Sequence, residues 1–190
     1  MNYLIISLTF FSFITNIQAR IKSKDILANR FLVQNILIDI FSDQARIYTN
    51  KFIIPNISTF GGPCDLYEQV RKERNKVYSI ESSCFGNKSN HKVSLNVDSS
   101  ALRAGFMLKT CKSITSDDKV MRTFYKKYEI SGPNDFSITS LKKLHRDFFP
   151  LESISDKQVT ALKRLFYSST ANKWQSVALA YCISPRWHLL

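Results

Sequence analysis

Three histidines in this 190-residue chain have an ordinary pKa suited to proton transfer near neutrality: His91, His145 and His188. His91 lies in a polar stretch, where a lone imidazole is normally just solvated. His145 sits two positions before Asp147, and on a helix that spacing turns the two side chains about 200° apart. They therefore cannot form an acid–base pair on one element. His188 follows Trp187 close to the last residue, a placement that suits a structural or frayed role better than catalysis. His91 and His145 are left as the candidates for a general base. Adjacent Asp117 and Asp118 look like paired carboxylates, but two acids opening a helix are more simply explained as capping residues. The sequence contains no nucleophile elbow, phosphate loop, zinc-protease helix, dinucleotide fingerprint or calcium loop.

The four cysteines are Cys64, Cys84, Cys111 and Cys182. No pair has the C-x-x-C spacing of a metal site or of covalent haem attachment, so neither metal nor cofactor is expected. An even count points instead to disulfides, with three possible connectivities. Ala101, Ala104, Leu108 and Cys111 fall on one helical stripe, and Trp174, Ala178, Tyr181 and Cys182 on another. Two cysteines facing a common core can meet, which predicts Cys111–Cys182 and leaves Cys64–Cys84 to close a local loop.

Charge is the next constraint. The chain carries 27 Lys and Arg against 15 Asp and Glu, a formal net charge of +12. Such an excess attracts anions over a distance, yet no block reaches the five or six basic residues of a nucleic-acid or heparin arm. Lys142, Lys143 and Arg146 lie off the Ile138/Leu141/Leu144/Phe148 stripe, and Lys163 with Arg164 can flank them, which makes these five the candidate anion-binding residues. The expected partner is an anionic polymer or envelope component, with a protein as the other option and nucleic acid disfavoured.

Residues 1–19 contain no charged side chain. Their apolar run, Leu4 to Ile14, is shorter than the ~20 residues of a membrane-spanning helix, and Ala19 stands at a cleavage position. That is the layout of a secretory signal peptide. No later segment is long and apolar enough to span a membrane, so the exported remainder is expected to be periplasmic or secreted. Asn56 and Asn87 both stand in N-x-S sequons.

Residues 20–190 read as a single, mainly helical domain. Ser23 or Asp25 is positioned to cap a first helix whose apolar face holds Ile26, Leu27, Phe31, Leu32, Ile36, Leu37 and Ile40, ending near Phe41. Residues 44–98 read as an irregular, disulfide-linked insertion. Its first part, 44–63, looks extended through Ile47-Tyr48 and Phe52-Ile53-Ile54 until Gly61-Gly62-Pro63 stops it. Five further helices follow. Ser99 or Ser100 opens one that ends near Ser113; Ser116 opens the next, to about Tyr128. The third covers about Thr139–Phe149, a Ser155/Gln158 capping box starts the fourth, and the last covers about Thr170–Ile183. The expected fold is a bundle of about five to six helices with a partly extended middle.

The Phe60-Gly61-Gly62-Pro63-Cys64-Asp65 turn, the segment from Ala101-Leu102-Arg103 to Thr110-Cys111, and the ending from Ala180 to Trp187 resemble uncharacterised exported proteins of Gram-negative bacteria. The Trp-helix-Ser-Pro-aromatic close is also similar to helical modules of bacterial surface proteins associated with cytochromes. The resemblance covers roughly 30 residues and implies an exported helical protein without an assigned activity. The sequence as a whole points to a non-enzymatic envelope or periplasmic binding or structural module. The alternative is a small secreted hydrolase acting on an anionic substrate with His145 or His91 as base.

Overall fold

In a computed structural model, residues 27–62, 100–170 and 172–188 are described. The expected leader, Cys64, Cys84, His91 and Asn87 lie outside them. Helix α1 (Arg30–Phe41) opens at Asn29, whose carboxamide oxygen accepts from the amides of Phe31 and Leu32, both at 3.0 Å. The start expected at Ser23 or Asp25 is thus corrected to a later cap. The chain just before Asn29 is tied elsewhere, with the Ala28 amide donating to the His188 carbonyl at 2.7 Å. The helix ends at Phe41 because Ser42 takes a left-handed φ of 82° that breaks the ladder.

Residues expected to be extended are helical. After a 3-10 turn at Asp43–Ala45, α2 spans Arg46–Phe52 and the single turn α3 spans Ile57–Phe60. The extended expectation rested on two short apolar runs, Ile47-Tyr48 and Phe52-Ile53-Ile54. The residues that bury are Thr49, Phe52 and Ile53, at helical spacing, while Ile47 stays exposed. Gln34 of α1 fixes the register by donating to Thr49 Oγ1 at 2.8 Å and Asn50 Oδ1 at 2.7 Å. Gly61, at φ 65°, closes α3 with its amide on the Ile57 carbonyl. Of the insertion expected over 44–98, the described part is therefore not extended.

The remaining helices are α4 (Ala101–Thr115), α5 (Asp118–Lys127), α6 (Ile138–Phe148), α7 (Asp156–Ser168) and α8 (Lys173–Cys182), followed by a 3-10 turn at Pro185–His188. The described residues thus hold seven helices of seven residues or more, α2 being the one not foreseen, and no strand. Ser100 caps α4 and the Ser155/Gln158 capping box opens α7 as expected. Asp117, rather than Ser116, caps α5, accepting from Lys119 and Val120. A carboxylate there also gains from the positive end of the helix.

Helix α4 packs on α2, α3, α5 and α8; α1 packs on α2, α5 and α6; α7 rests on α8. Cys111 and Cys182 are joined, with Cα atoms 5.7 Å apart, across 71 positions. The stripe expected on α4 needs correction, however. Ala101, Ala104 and Leu108 face solvent, and Arg103, Met107, Cys111 and Ile114 face the core. An arginine in that register hid the true face. Trp174, Ala178, Tyr181 and Cys182 are all buried, as their spacing required. Phe41 stacks on Phe124 with ring centroids 5.3 Å apart, and Phe148 lies edge-on to Phe41.

Candidate functional site

Leu141, Leu144 and Phe148 turn one side of α6 into the core, and the same side carries His145, which is only 3% exposed. Opposite it α8 presents Tyr181, whose hydroxyl lies 3.2 Å from His145 Nδ1. Between α6, α7, α8 and the C-terminal turn runs a cleft of about 260 Å³. Its walls are mostly apolar, formed by Phe149, Ala161, Leu162 and Ala180, and its polar groups come from His145, Tyr181, Gln158, Ser184 and Arg186. Apolar walls with a few converging polar groups are the usual make-up of a small-molecule site.

The imidazole is held in an unusual state for a histidine. Burial pushes its pKa below the ordinary value; Glu152 pulls it back up, and Arg186 pushes it further down. Its Nε2 is buried with no hydrogen-bond partner among the described residues. Burial raises the pKa of the Tyr181 hydroxyl, so its proton is retained. Arg186 pairs with Glu152 at 2.8 Å, and its guanidinium carbon is 5.8 Å from the centre of the Phe149 ring.

Asp147 plays no part in the cleft. It accepts from the Tyr128 hydroxyl at 2.7 Å and pairs with Lys127 at 3.1 Å, in keeping with the angular separation from His145. The basic candidates are distributed over two helices. Lys142 and Arg146 are exposed on α6, while Lys143 pairs with Glu129 at 2.6 Å. Lys163 and Arg164 are exposed on α7, and Lys163 Nζ reaches to 5.8 Å from the Phe136 ring. The amide nitrogen of Asn56 that a glycan would occupy donates to the Phe52 carbonyl at 2.8 Å.

A second polar centre escaped the sequence reading. Arg103 is 3% exposed, donates from Nη2 to the Ala28 carbonyl at 2.6 Å and from Nη1 to the Thr59 carbonyl at 3.5 Å, and lies 4.7 Å over the Phe60 ring. Burial lowers its pKa to about 10. His188 is buried near it, its pKa lowered to about 3 by burial and then by the Arg103 charge. This centre joins the first described residues to the last, with the Ala28 amide also donating to the His188 carbonyl. Arg103 was detectable as the i−4 neighbour of Met107 in an otherwise apolar register. Arg186 and Gln158 left no such trace, because their role arises from helices that meet only in space.

Among the described residues no group of His, Cys, Asp and Glu is arranged to hold a metal ion, and no helix is long and apolar enough to cross a membrane. The chain matches no protein-family model, no curated protein and no solved structure.

Proposed function

We propose that the chain is an exported, disulfide-stabilised binding module of the periplasm or envelope, non-enzymatic and with a basic surface. The observation that carries this reading is the cleft beside His145. It offers apolar walls and several hydrogen-bonding groups, but the imidazole inside it leans on Tyr181 rather than on a carboxylate. A general base is normally oriented by such an acid, and Asp147 is already taken by Tyr128 and Lys127. The Cys111–Cys182 bond and the leader-like first 19 residues support export, since disulfides persist in oxidising compartments. Exposed Lys142, Arg146, Lys163 and Arg164 keep an anionic polymer or envelope component as the partner of the outer surface.

One feature favours the hydrolase alternative: Ser184 lines the same cleft as His145. A screen of small ligands by thermal shift, run beside chromogenic ester and phosphoester assays, separates the two. The binding reading expects compounds that raise the melting temperature without product formation. Turnover abolished by His145→Ala would replace it with the hydrolase, and neither stabilisation nor turnover would overturn both.

A further inference from the structure

The hydrogen-bond arithmetic of the His145/Tyr181 pair indicates what the cleft lacks. A neutral imidazole has one N–H and one lone pair on nitrogen, and a phenol has one O–H. If His145 Nδ1 donates to Tyr181, the tyrosine proton and the Nε2 lone pair are both left without partners among the described residues. If Tyr181 donates to Nδ1, the proton sits on Nε2, and a single donor is left unmatched. The second arrangement wastes less, because each buried polar group without a partner carries its own desolvation cost. The unmatched group is then an N–H donor, held on a residue 3% exposed that lines the cleft.

A donor of this kind calls for an oxygen acceptor. Arg186 extends the demand at the mouth, where its Nη2 is engaged by Glu152 at 2.8 Å and its guanidinium carries further N–H donors. Between these donors the wall is hydrocarbon: Phe149, Leu162 and Ala180. At about 260 Å³ the cleft is smaller than the roughly 300–1,000 Å³ of most drug-sized ligand sites. Its occupant is correspondingly small.

We propose that the cleft binds a small monocarboxylate with an apolar body, its hydrocarbon against Phe149, Leu162 and Ala180 and its carboxylate accepting hydrogen bonds from His145 Nε2 and Arg186. This rests on the binding reading above and gives it a ligand class. The apolar body has two sources, a medium-length alkyl chain or a single aryl ring, and both present the same head group. Glu152 is the built-in competitor, since it occupies one edge of the Arg186 guanidinium with a carboxylate of its own.

The test is titration of the full chain, disulfide formed, with octanoate and with 3-phenylpropionate, each beside its neutral alcohol, followed by NMR shifts and by calorimetry. Both acids are expected to shift Tyr181 and Leu162 resonances and to bind at least tenfold more tightly than the alcohols, and the tighter acid identifies the body. Arg186→Gln should bring the acids down towards the alcohols. Glu152→Gln should do the opposite, strengthening acid binding severalfold while leaving the alcohols unchanged, an increase that a merely structural salt bridge would not produce. Leu162→Trp should fill the cleft and abolish all four, with circular dichroism reporting that the helices are intact. Equal affinity for acid and alcohol, shifts confined to surface lysines, or no binding at millimolar concentration would overturn the carboxylate assignment. If a different compound class from the ligand screen then occupies the cleft, the binding reading survives without it. If no compound does, both fall.

Discussion

Arg103 Nη2 donates to the carbonyl of Ala28 at 2.6 Å, linking two residues 75 positions apart. The guanidinium is buried with no carboxylate on it among the described residues, and two backbone carbonyls, from Ala28 and Thr59, take its protons over the face of Phe60. A cation in such a place is retained because those carbonyls would otherwise be buried and unsatisfied. Arg103→Leu is expected to lower the unfolding free energy by about 2–4 kcal/mol. Arg103→Lys should recover only part of this, since an ammonium on a flexible stem does not reproduce the planar fork. Urea denaturation checks both; a leucine variant as stable as the parent would show that the carbonyls find other partners.

The Cys111–Cys182 bond closes 71 positions of sequence and joins α4 to α8. A loop of that length implies about 4 kcal/mol of stabilisation through the unfolded chain. The double variant Cys111→Ala, Cys182→Ala should therefore unfold at markedly lower denaturant concentration. Measured in parallel, the parent with dithiothreitol should behave like the variant. Superimposable curves with and without reductant would contradict the assignment.

Acid should destabilise the protein before its carboxylates titrate. His188 and His145 both have pKa values lowered by burial, to about 3 for His188. In the unfolded chain they regain the ordinary value of about 6.5. Between those limits the unfolded state binds more protons, so stability is complete above pH ~6.5 and declines as the pH falls towards 3. Asp117 adds to the loss only at lower pH: hydrogen bonding from Tyr48 depresses its pKa, so its contribution fades as the pH falls below the ordinary carboxylate range. Melting temperature recorded from pH 8 to pH 4 should show the decline, and His188→Phe should flatten it. A profile flat from pH 7 to pH 4 would exclude buried neutral histidines.

The two sides of α4 should respond to substitution in opposite ways. Met107→Ala removes a buried side chain from the core and is expected to cost about 2–5 kcal/mol. Leu108→Gln lies on the exposed side, where changes stay within about 0.5 kcal/mol. Paired denaturation curves decide between this orientation and the one suggested by the apolar spacing of Ala101, Ala104 and Leu108.

The helix ends were largely legible because capping is local chemistry. Ser100, the Ser155/Gln158 box and the breaks at Gly132-Pro133 and Pro150 act on amides and carbonyls within a turn or so of themselves. Missed caps, Asn29 for Ser23 or Asp25 and Asp117 for Ser116, were errors of choice among neighbouring polar residues. Helix α2 was lost for a different reason. Ile47-Tyr48 and Phe52-Ile53-Ile54 are too short to establish a period, and only the contact of Thr49 with Gln34 of α1 decides it.

The amino-acid sequence by itself determined a mainly helical chain and the position of most of its breaks, because periodicity and capping are properties of a few consecutive residues. Cys111 is joined to Cys182 as expected, but not through the α4 stripe that suggested it. Tertiary structure alone decided which side of α4 is buried, since burying Arg103 is favourable only where the carbonyls of Ala28 and Thr59 meet it. It also decided the cleft. His145, Gln158, Tyr181 and Arg186 come from three helices and a terminal turn, and no pattern along the chain records that packing places them around one space.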